Sequence, residues 1–413
     1  MKAKERVVML GDCQSFYASV EKADHPQYQD RPLVVAGDPE RRSGIVLAAC
    51  PIAKRHGITT AETLGTALVK CPEVVVMRPR MEKYIHVSMQ ITDIMKQFTD
   101  LVEPYSIDEQ HLDVTGSLAL FGGDPVALAR TIQENIKRDT QVYSRFGISY
   151  NKAVSKMACD NFAKKNADGI FCLPKERLQD VLWPLPIRQL FMVGSRMERH
   201  FQRMGIRTIG HLANTPLHRL RDRFGVNGEV LWRLANGIDH SLVNPNSNQG
   251  EKSIGHEMTL PRDYYTVSEI SVPLLELTEL VCRRCRDKGY MGGVVNVSCR
   301  GADFDRPTGF SRQMKMPDPT NVTNQVYRVV MSLFRRHWDD EPVRKVGVSL
   351  SALVQDDEYQ LMLFDERPKY QALEKATDEI KRKYGDAAIL RAVSLTPPGQ
   401  ARDRSGKIGG HYR

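Results

Sequence analysis

The chain has no apolar run long enough to cross a membrane, no signal-peptide pattern at its start, and no internal repeat or long low-complexity segment. These absences argue against a helical membrane protein and a repeat array, and lead to the expectation of a cytoplasmic protein that meets no membrane. A disulfide or zinc framework is also missing. Eight cysteines are scattered over 413 residues, and Cys282-Arg-Arg-Cys285 alone has ligand spacing, with no second Cys or His pair nearby. That pair reads as two positions on one helix face, and the thiols as reduced. Neither charge sign is scarce: 59 Lys+Arg against 50 Asp+Glu leaves +9. The surplus suits a polyanionic partner such as nucleic acid without establishing one. Such a length exceeds one hydrophobic core, and 41% hydrophobic with 26% charged residues describes a globular protein of roughly two to four domains.

The most informative run present is Tyr105-Ser-Ile-Asp-Glu-Gln-His-Leu-Asp113, which sets Asp108 and Glu109 side by side where two apolar runs meet. Adjacent carboxylates repel and resist desolvation. Asp12 ends a further apolar run, Arg6-Val-Val-Met-Leu-Gly-Asp12. Two strand ends that bring these three together would hold a hard divalent cation through oxygen ligands. The alternative is a solvated hairpin tip and a strand-ending turn residue, and spacing alone leaves both open.

The pattern around these carboxylates predicts strand Val7–Leu10, helix Phe16–Ala23 and strand Leu33–Ala36. An insert over 38–79 carries a short helix from Pro51 to Arg55. Helix Tyr84–Phe98 and the acidic hairpin follow, then a helix capped by Asp124-Pro125 and a strand Phe146–Ser149. This is an α+β, multidomain pattern. From 176 to 240 short helices alternate with turn glycines, including Phe191-Met-Val-Gly194 and Met204-Gly-Ile-Arg-Thr-Ile-Gly210, which read either as phosphate-binding helix starts or as an ordinary helical hairpin. A polar linker spans 241–252, and a strand–helix–strand–strand–helix–strand pattern spans 253–355. There Ile270, Leu274, Leu277, Val281 and Cys285 form one helix stripe, while Val295, Val297 and Cys299 alternate with Asn296, Ser298 and Arg300. Residues 252–345 hold 15 Lys/Arg against 12 Asp/Glu, so binding there depends on which face the charges take. The remainder, 356–413, reads as a tail with one amphipathic helix near Tyr370–Lys383 and a polar, Gly-rich end.

Aromatic and cationic residues accompany the acidic ones. Phe16-Tyr17 follows Asp12 closely; core packing suits Phe16 better than Tyr17. Lys54 and Arg55 lie on the insert helix, and Lys152 and Lys156 follow the strand ending at Ser149, offering cations towards the same sheet edge. Carboxylates ringed by cations from separate segments suit a metal-bound triphosphate.

Taken together, Asp12-Cys-Gln-Ser-Phe-Tyr-Ala-Ser-Val-Glu21, Ser106-Ile-Asp-Glu109 with Leu112-Asp113, Gly147-Ile-Ser-Tyr-Asn-Lys152 through Lys156, and Ser253-Ile-Gly-His-Glu257 resemble the Y-family (translesion) DNA polymerases over nearly the whole chain, closest to the UmuC-like branch. The resemblance implies a ferredoxin-like palm (1–37 and 80–175), fingers (38–79), a helical thumb (176–240) and a βαββαβ little finger (253–355). It implies that Asp12, Asp108 and Glu109 bind two Mg2+, with the Cys13 carbonyl as a further ligand. One ion would acidify the primer 3′-hydroxyl and the other would hold the triphosphate. Phe16, Tyr17, Lys54 and Lys156 fall at dNTP-binding positions, with Tyr17 as the steric gate against ribose. Pro51 and Lys54 depart from the Tyr–Arg pair that many DNA polymerase IV-like members have on the fingers helix.

Gln360-Leu-Met-Leu-Phe364 is similar to the sliding-clamp-binding pentapeptide, with Leu361, Leu363 and Phe364 as apolar anchors and Gln360 fixing orientation; the alternative is a short strand of its own domain. The expected partners are primed template DNA, dNTPs and the clamp, and the UmuC-like resemblance adds an accessory subunit as a candidate. The expected function is synthesis past damaged bases. Two rivals are a non-catalytic DNA- and clamp-binding scaffold of the same family and a nucleotidyl cyclase.

Overall fold

The computed structural model describes residues 5–37, 44–247, 250–303, 305–306, 308–357 and 367–412. They form two compact units, one built on residues 5–36 and 45–247, the other on residues 250–412. The first unit runs β1 (Val8–Cys13), α1 (Phe16–Asp24), β2 (Leu33–Ala36), β3 (Val46–Ala49), α2 (Pro51–Arg55), α3 (Leu64–Lys70), β4 (Val75–Met77), α4 (Met81–Lys96), β5 (Val102–Pro104), β6 (Glu109–Asp113), α5 (Pro125–Thr140), β7 (Ser144–Ser149), α6 (Lys152–Ala158) and β8 (Ile170–Cys172). Short helices follow: α7 (Leu178–Leu182), α8 (Ser195–Arg203), α9 (Ile209–Ala213), α10 (Leu217–Phe224) and α11 (Val226–Ala235).

The main sheet has the order β5-β6-β1-β7-β8, with β1 antiparallel to both neighbours. All six β1 residues are buried because the strand is central and both of its faces are covered. Alternation decides which face each side chain takes. Gly11 looks towards α4, and an added Cβ would meet Met95 Cε of that helix at 2.7 Å and Phe146 Cε1 of neighbouring β7 at 2.9 Å. Leu10 looks the other way, onto Cys159 and Ala163 in the π-helical turn that continues α6. Asp12 therefore shares the α6 face with Leu10. Gly147 on β7 lets α6 come this close: a Cβ there would lie 2.1 Å from the Ser155 carbonyl oxygen.

β2 belongs to a different sheet. The sequence groups residues 1–37 with the palm, yet Leu33–Ala36 pairs antiparallel with β3 and parallel with β4, both elements of the 38–79 insert. Its four residues are fully buried, and those two strands supply the hydrogen bonds that a buried strand requires. The cap at Asp124 is as expected, accepting from the Val126 N–H with Pro125 next to it.

The second unit is β9 (Ser253–Tyr264), α12 (Val267–Asp287), β10 (Tyr290–Gly301), β11 (Gly309–Thr320), α13 (Thr323–His337) and β12 (Val343–Gln355), in sheet order β11-β10-β12-β9. This is the strand–helix–strand–strand–helix–strand pattern expected. Ile270, Leu274, Leu277, Val281 and Cys285 are buried, and Cys282 lies in the same core. The helix starts at Thr266, whose hydroxyl accepts from the Glu269 N–H, and ends before Gly289 at φ 69°.

The segment after 366 is more than a polar tail. It forms α14 (Arg367–Tyr384), α15 (Ala401–Ser405), β13 (Lys407–Ile408) and β14 (His411–Tyr412). Buried Arg286 of α12 donates to Asp378 Oδ2 at 2.6 Å and to Glu374 Oε2 at 2.5 Å, and Tyr264 donates to the Pro398 carbonyl at 2.9 Å. Charges that look like a solvated helix face in sequence are thus spent on docking. Gln360, Leu361, Leu363 and Phe364 lie outside the described residues.

Candidate active site

Register brings the acidic residues together. β1 and β6 pair so that Asp12 stands directly opposite Glu109, two carboxylates on neighbouring strands. Like charges in this position destabilise a sheet unless something neutralises them. Two lysines do so. Lys164 Nζ lies 2.7 Å from Asp12 Oδ2 and 2.7 Å from Asp160 Oδ1. Lys156 Nζ donates to both Glu109 oxygens at 2.9 and 2.7 Å. The ligand oxygens of Asp12, Glu109 and Asp160 all lie within 4.8 Å of one another. Asp12 is 6% exposed, and burial pushes its carboxyl up to about 7 against the pull of Lys164, with Glu109 raising it further. Burial alone would lower Lys164, but Asp12 and Asp160 hold it above the usual ammonium range.

Asp108 stands apart from this trio. Its Oδ1 accepts from Ser106 Oγ at 2.7 Å, while its carbonyl accepts from the Cys13 N–H at 2.9 Å. That bond ties the Cys13 main chain to the acidic hairpin. Asp108 still borders the site, since its charge, after burial, raises the Tyr17 hydroxyl. The sequence reading missed Asp160 and Lys164. A signal was present: Lys156, Asp160 and Lys164 are four residues apart, one stripe on a helix facing β1.

The remaining candidates separate clearly. Tyr17 is half-buried and stacks on Tyr84 with centroids 4.5 Å apart and planes at 19°. Tyr84 is held in turn by its 2.6 Å bond to buried Glu21, which Arg80 also grips. Phe16, expected at the nucleotide, is 3% exposed and belongs to the core. Lys54 reaches the site: its Nζ donates to Ser15 Oγ at 2.9 Å, and burial together with the charge of Lys164 lowers its pKa. Pro51 starts α2, and the Cys50 sulfur accepts from the Ala53 N–H. Lys152 is a correction, because both Glu103 oxygens engage it at 2.7 Å and it turns away from the acidic edge.

An oxygen-only donor set on two strands and a helical turn fits a hard divalent cation, and the two ammonium groups stand where positive charge is required. In the second unit, Asn296 and Ser298 of β10 lie beside Ser311, Gln313 and Ser349 on the face opposite the helices, with Arg300 across from Lys345. Hydroxyls, amides and cations on one flat sheet face suit backbone phosphates. Among the described residues no helix is long and apolar enough to cross a membrane.

Comparison with known proteins agrees with this arrangement. Residues 11–160 match the impB/mucB/samB family, residues 251–363 its C-terminal domain, and residues 188–239 the DNA polymerase-iota thumb domain. DNA polymerase IV 2 of Bacillus subtilis (strain 168) is 57% identical, covering 99% of this chain and 100% of that protein. DNA polymerase IV 2 of Halalkalibacterium halodurans is 51% identical over 99% of this chain and 100% of its own length. A solved Y-family DNA polymerase chimera, Dbh-Dpo4(243-245)-Dbh, superposes with a TM-score of 0.71 at 23% identity, covering 84% of this chain and 99% of that one, which establishes the shared fold. With relatives this similar along the whole length, the chain belongs to the Y-family DNA polymerases.

Proposed function

We propose that the protein is a template-directed DNA polymerase that extends primers past damaged bases with dNTPs. The observation that carries this is the cross-strand pair of buried Asp12 and half-buried Glu109, gathered beside Asp160 and neutralised by lysines. A scaffold that only binds DNA has no use for carboxylates this costly to bury. Polymerases of this family are metal-dependent. Asp12, Glu109, Asp108 and the Cys13 carbonyl are our candidates for holding two Mg2+, with Asp160 alongside. Such ions supply charge that acidifies a primer 3′-hydroxyl and neutralises a triphosphate.

In the reaction the primer 3′-oxygen bonds to the α-phosphorus, the bond to pyrophosphate breaks, and the hydroxyl proton leaves. Lys54 feels the charge of Lys164 beside Asp12, and a phosphate oxygen would favour its charged form. Lys156 donates to both Glu109 oxygens and so orients that carboxylate. Tyr17, immobilised by Tyr84, presents a ring that a ribose 2′-hydroxyl would meet. Residues 80–175 with β1 and α1 act as palm, 38–79 with β2 as fingers, 176–240 as thumb and 253–355 as little finger, whose polar sheet face would follow the DNA backbone. Gln360, Leu361, Leu363 and Phe364 are the proposed clamp contact. Primer extension on a template with one abasic site tests the proposal: product one or more nucleotides past the lesion is expected, and a complete stop before it would reject the bypass reading.

A further inference from the structure

The second unit contains a cavity of about 270 Å3 between α12, β9 and the C-terminal segment, sharing no residue with the acidic cluster. Seven Lys/Arg and five Asp/Glu line it. Most of these charges are matched. Arg283 meets Asp386 at 2.6 Å, Arg286 meets Glu374 and Asp378, and Lys381 and Arg391 share Glu279. Lys407 pairs with Asp403 at 2.5 Å. Glu276 is taken by the Gln400 N–H, which its two oxygens accept at 3.1 and 3.0 Å.

The surplus falls on Arg284 and Arg404. Arg284 makes no hydrogen bond or ion pair with a described residue. Arg404 Nη1 lies 4.0 Å from the Glu276 carboxylate and has no hydrogen-bond acceptor, while Nη2 donates to the Glu276 carbonyl at 3.3 Å. Burial lowers both guanidinium groups against the pull of nearby carboxylates, Glu276 and Glu279 on Arg404 and Asp386 on Arg284. His256 of β9 faces the same space: burial and both arginines push its ring down to about 4, so it is neutral at pH 7. An unpaired guanidinium beside one held by a single distant carboxylate, with Nη1 buried without an acceptor, is costly in a partly enclosed space, and an anion between the two relieves it. With Asp403 on Lys407 the cavity holds one cation more than its carboxylates, and a phosphate offers the negative charge and the oxygens for forked arginine contacts that this surplus lacks.

We infer that Arg284, Arg404 and His256 form a phosphate-binding site whose occupant fastens the C-terminal segment to α12. The group bound is a free phosphate ion or a terminal phosphate on a short nucleic acid. The test uses the full-length protein, with thermal unfolding followed as inorganic phosphate is titrated against chloride at matched ionic strength. A saturable rise in the unfolding midpoint with phosphate is expected. Arg284→Ala and Arg404→Gln should each weaken half-saturation by at least tenfold, while Lys96→Ala, an exposed lysine on α4, should not. Because Arg284 has no partner to lose, Arg284→Ala should keep or raise the midpoint without phosphate, which separates loss of the site from loss of the fold. A 5′-phosphorylated trinucleotide forms the second arm. A stronger effect than its unphosphorylated form, abolished by Arg284→Ala, identifies a nucleic-acid end; saturation by phosphate alone identifies the free ion. Equal effects of phosphate and chloride, or an undiminished phosphate effect in Arg284→Ala, would overturn the inference.

Discussion

Arg286→Ala should unfasten the C-terminal segment from the second unit. The Arg286 side chain is 6% exposed and its guanidinium is fully engaged: Nε and Nη2 donate to Asp378 at 2.6 and 3.1 Å, and Nη1 donates to Glu374 at 2.5 Å and to the Asn321 carbonyl at 2.8 Å. Glu374 also accepts from the Thr323 N–H at 2.9 Å, at the start of α13. The substitution leaves two buried carboxylates and one buried carbonyl facing a void. Removing one partner of a buried ion pair costs about 3–5 kcal/mol. For a unit of this size that corresponds to a fall in melting temperature on the order of 10 °C. Urea unfolding followed by tryptophan fluorescence reads it directly, because Trp338 packs on the core of this unit. The sign of the pH dependence is also fixed. Burial already raises Glu374, and without Arg286 it rises further, so the folded variant takes up a proton as pH falls. The destabilisation should therefore be smaller at pH 5.5 than at pH 8. A loss under about 1 kcal/mol, within the range of exposed ion pairs, would refute the claim that the segment is part of this unit.

Tyr17→Ala should raise ribonucleotide insertion at least tenfold relative to dNTP, measured by single-nucleotide kinetics, since the clash is removed and no new bond is needed; unchanged discrimination would return Tyr17 to a packing role. Alanine at Gln360, Leu361, Leu363 and Phe364 should leave synthesis on short primed templates intact and abolish stimulation by a sliding clamp, a loss of effective concentration at the primer end; unchanged clamp binding in a titration would dismiss the peptide. Truncation after Gln355 should also lower the melting temperature, because it removes Glu374 and Asp378, the partners of Arg286, and the Pro398 carbonyl that accepts from Tyr264. In phosphate-free buffer the melting temperature should climb from pH 4 to 6.5, where the unfolded chain carries a proton on His256 that the folded chain refuses, and His256→Gln should flatten that rise.

Much of this molecule is legible in the sequence because its patterns are local. The alternation in 294–300, the stripe from Ile270 to Cys285 and the Asp124-Pro125 cap each specify their element within one or two turns. Strand partnership is not local: Leu33–Ala36 reads as a buried strand, but nothing in four apolar residues says which sheet will take it. The acidic centre was half legible. Asp12 and Glu109 end apolar runs, whereas Asp160 lies in an ordinary polar stretch and gains its role through the close approach of α6 that Gly147 allows. Lys152 and Lys156 look equivalent on paper, and only their neighbours, Glu103 and Glu109, distinguish them. The C-terminal segment reads as a tail with one amphipathic helix, because nothing local in Glu374 and Asp378 reveals the buried counter-charge, Arg286, that docks it on α12.

The claim that Asp12 and Glu109 form a catalytic metal centre is tested most directly by primer extension with Asp12→Asn and Glu109→Gln at saturating Mg2+, alongside binding of the same primed DNA. The account predicts extension reduced by at least a thousandfold in each variant, the scale expected when charge needed in the transition state is lost, with DNA affinity within a few-fold of the parent. Extension near the parental rate in either variant would contradict it.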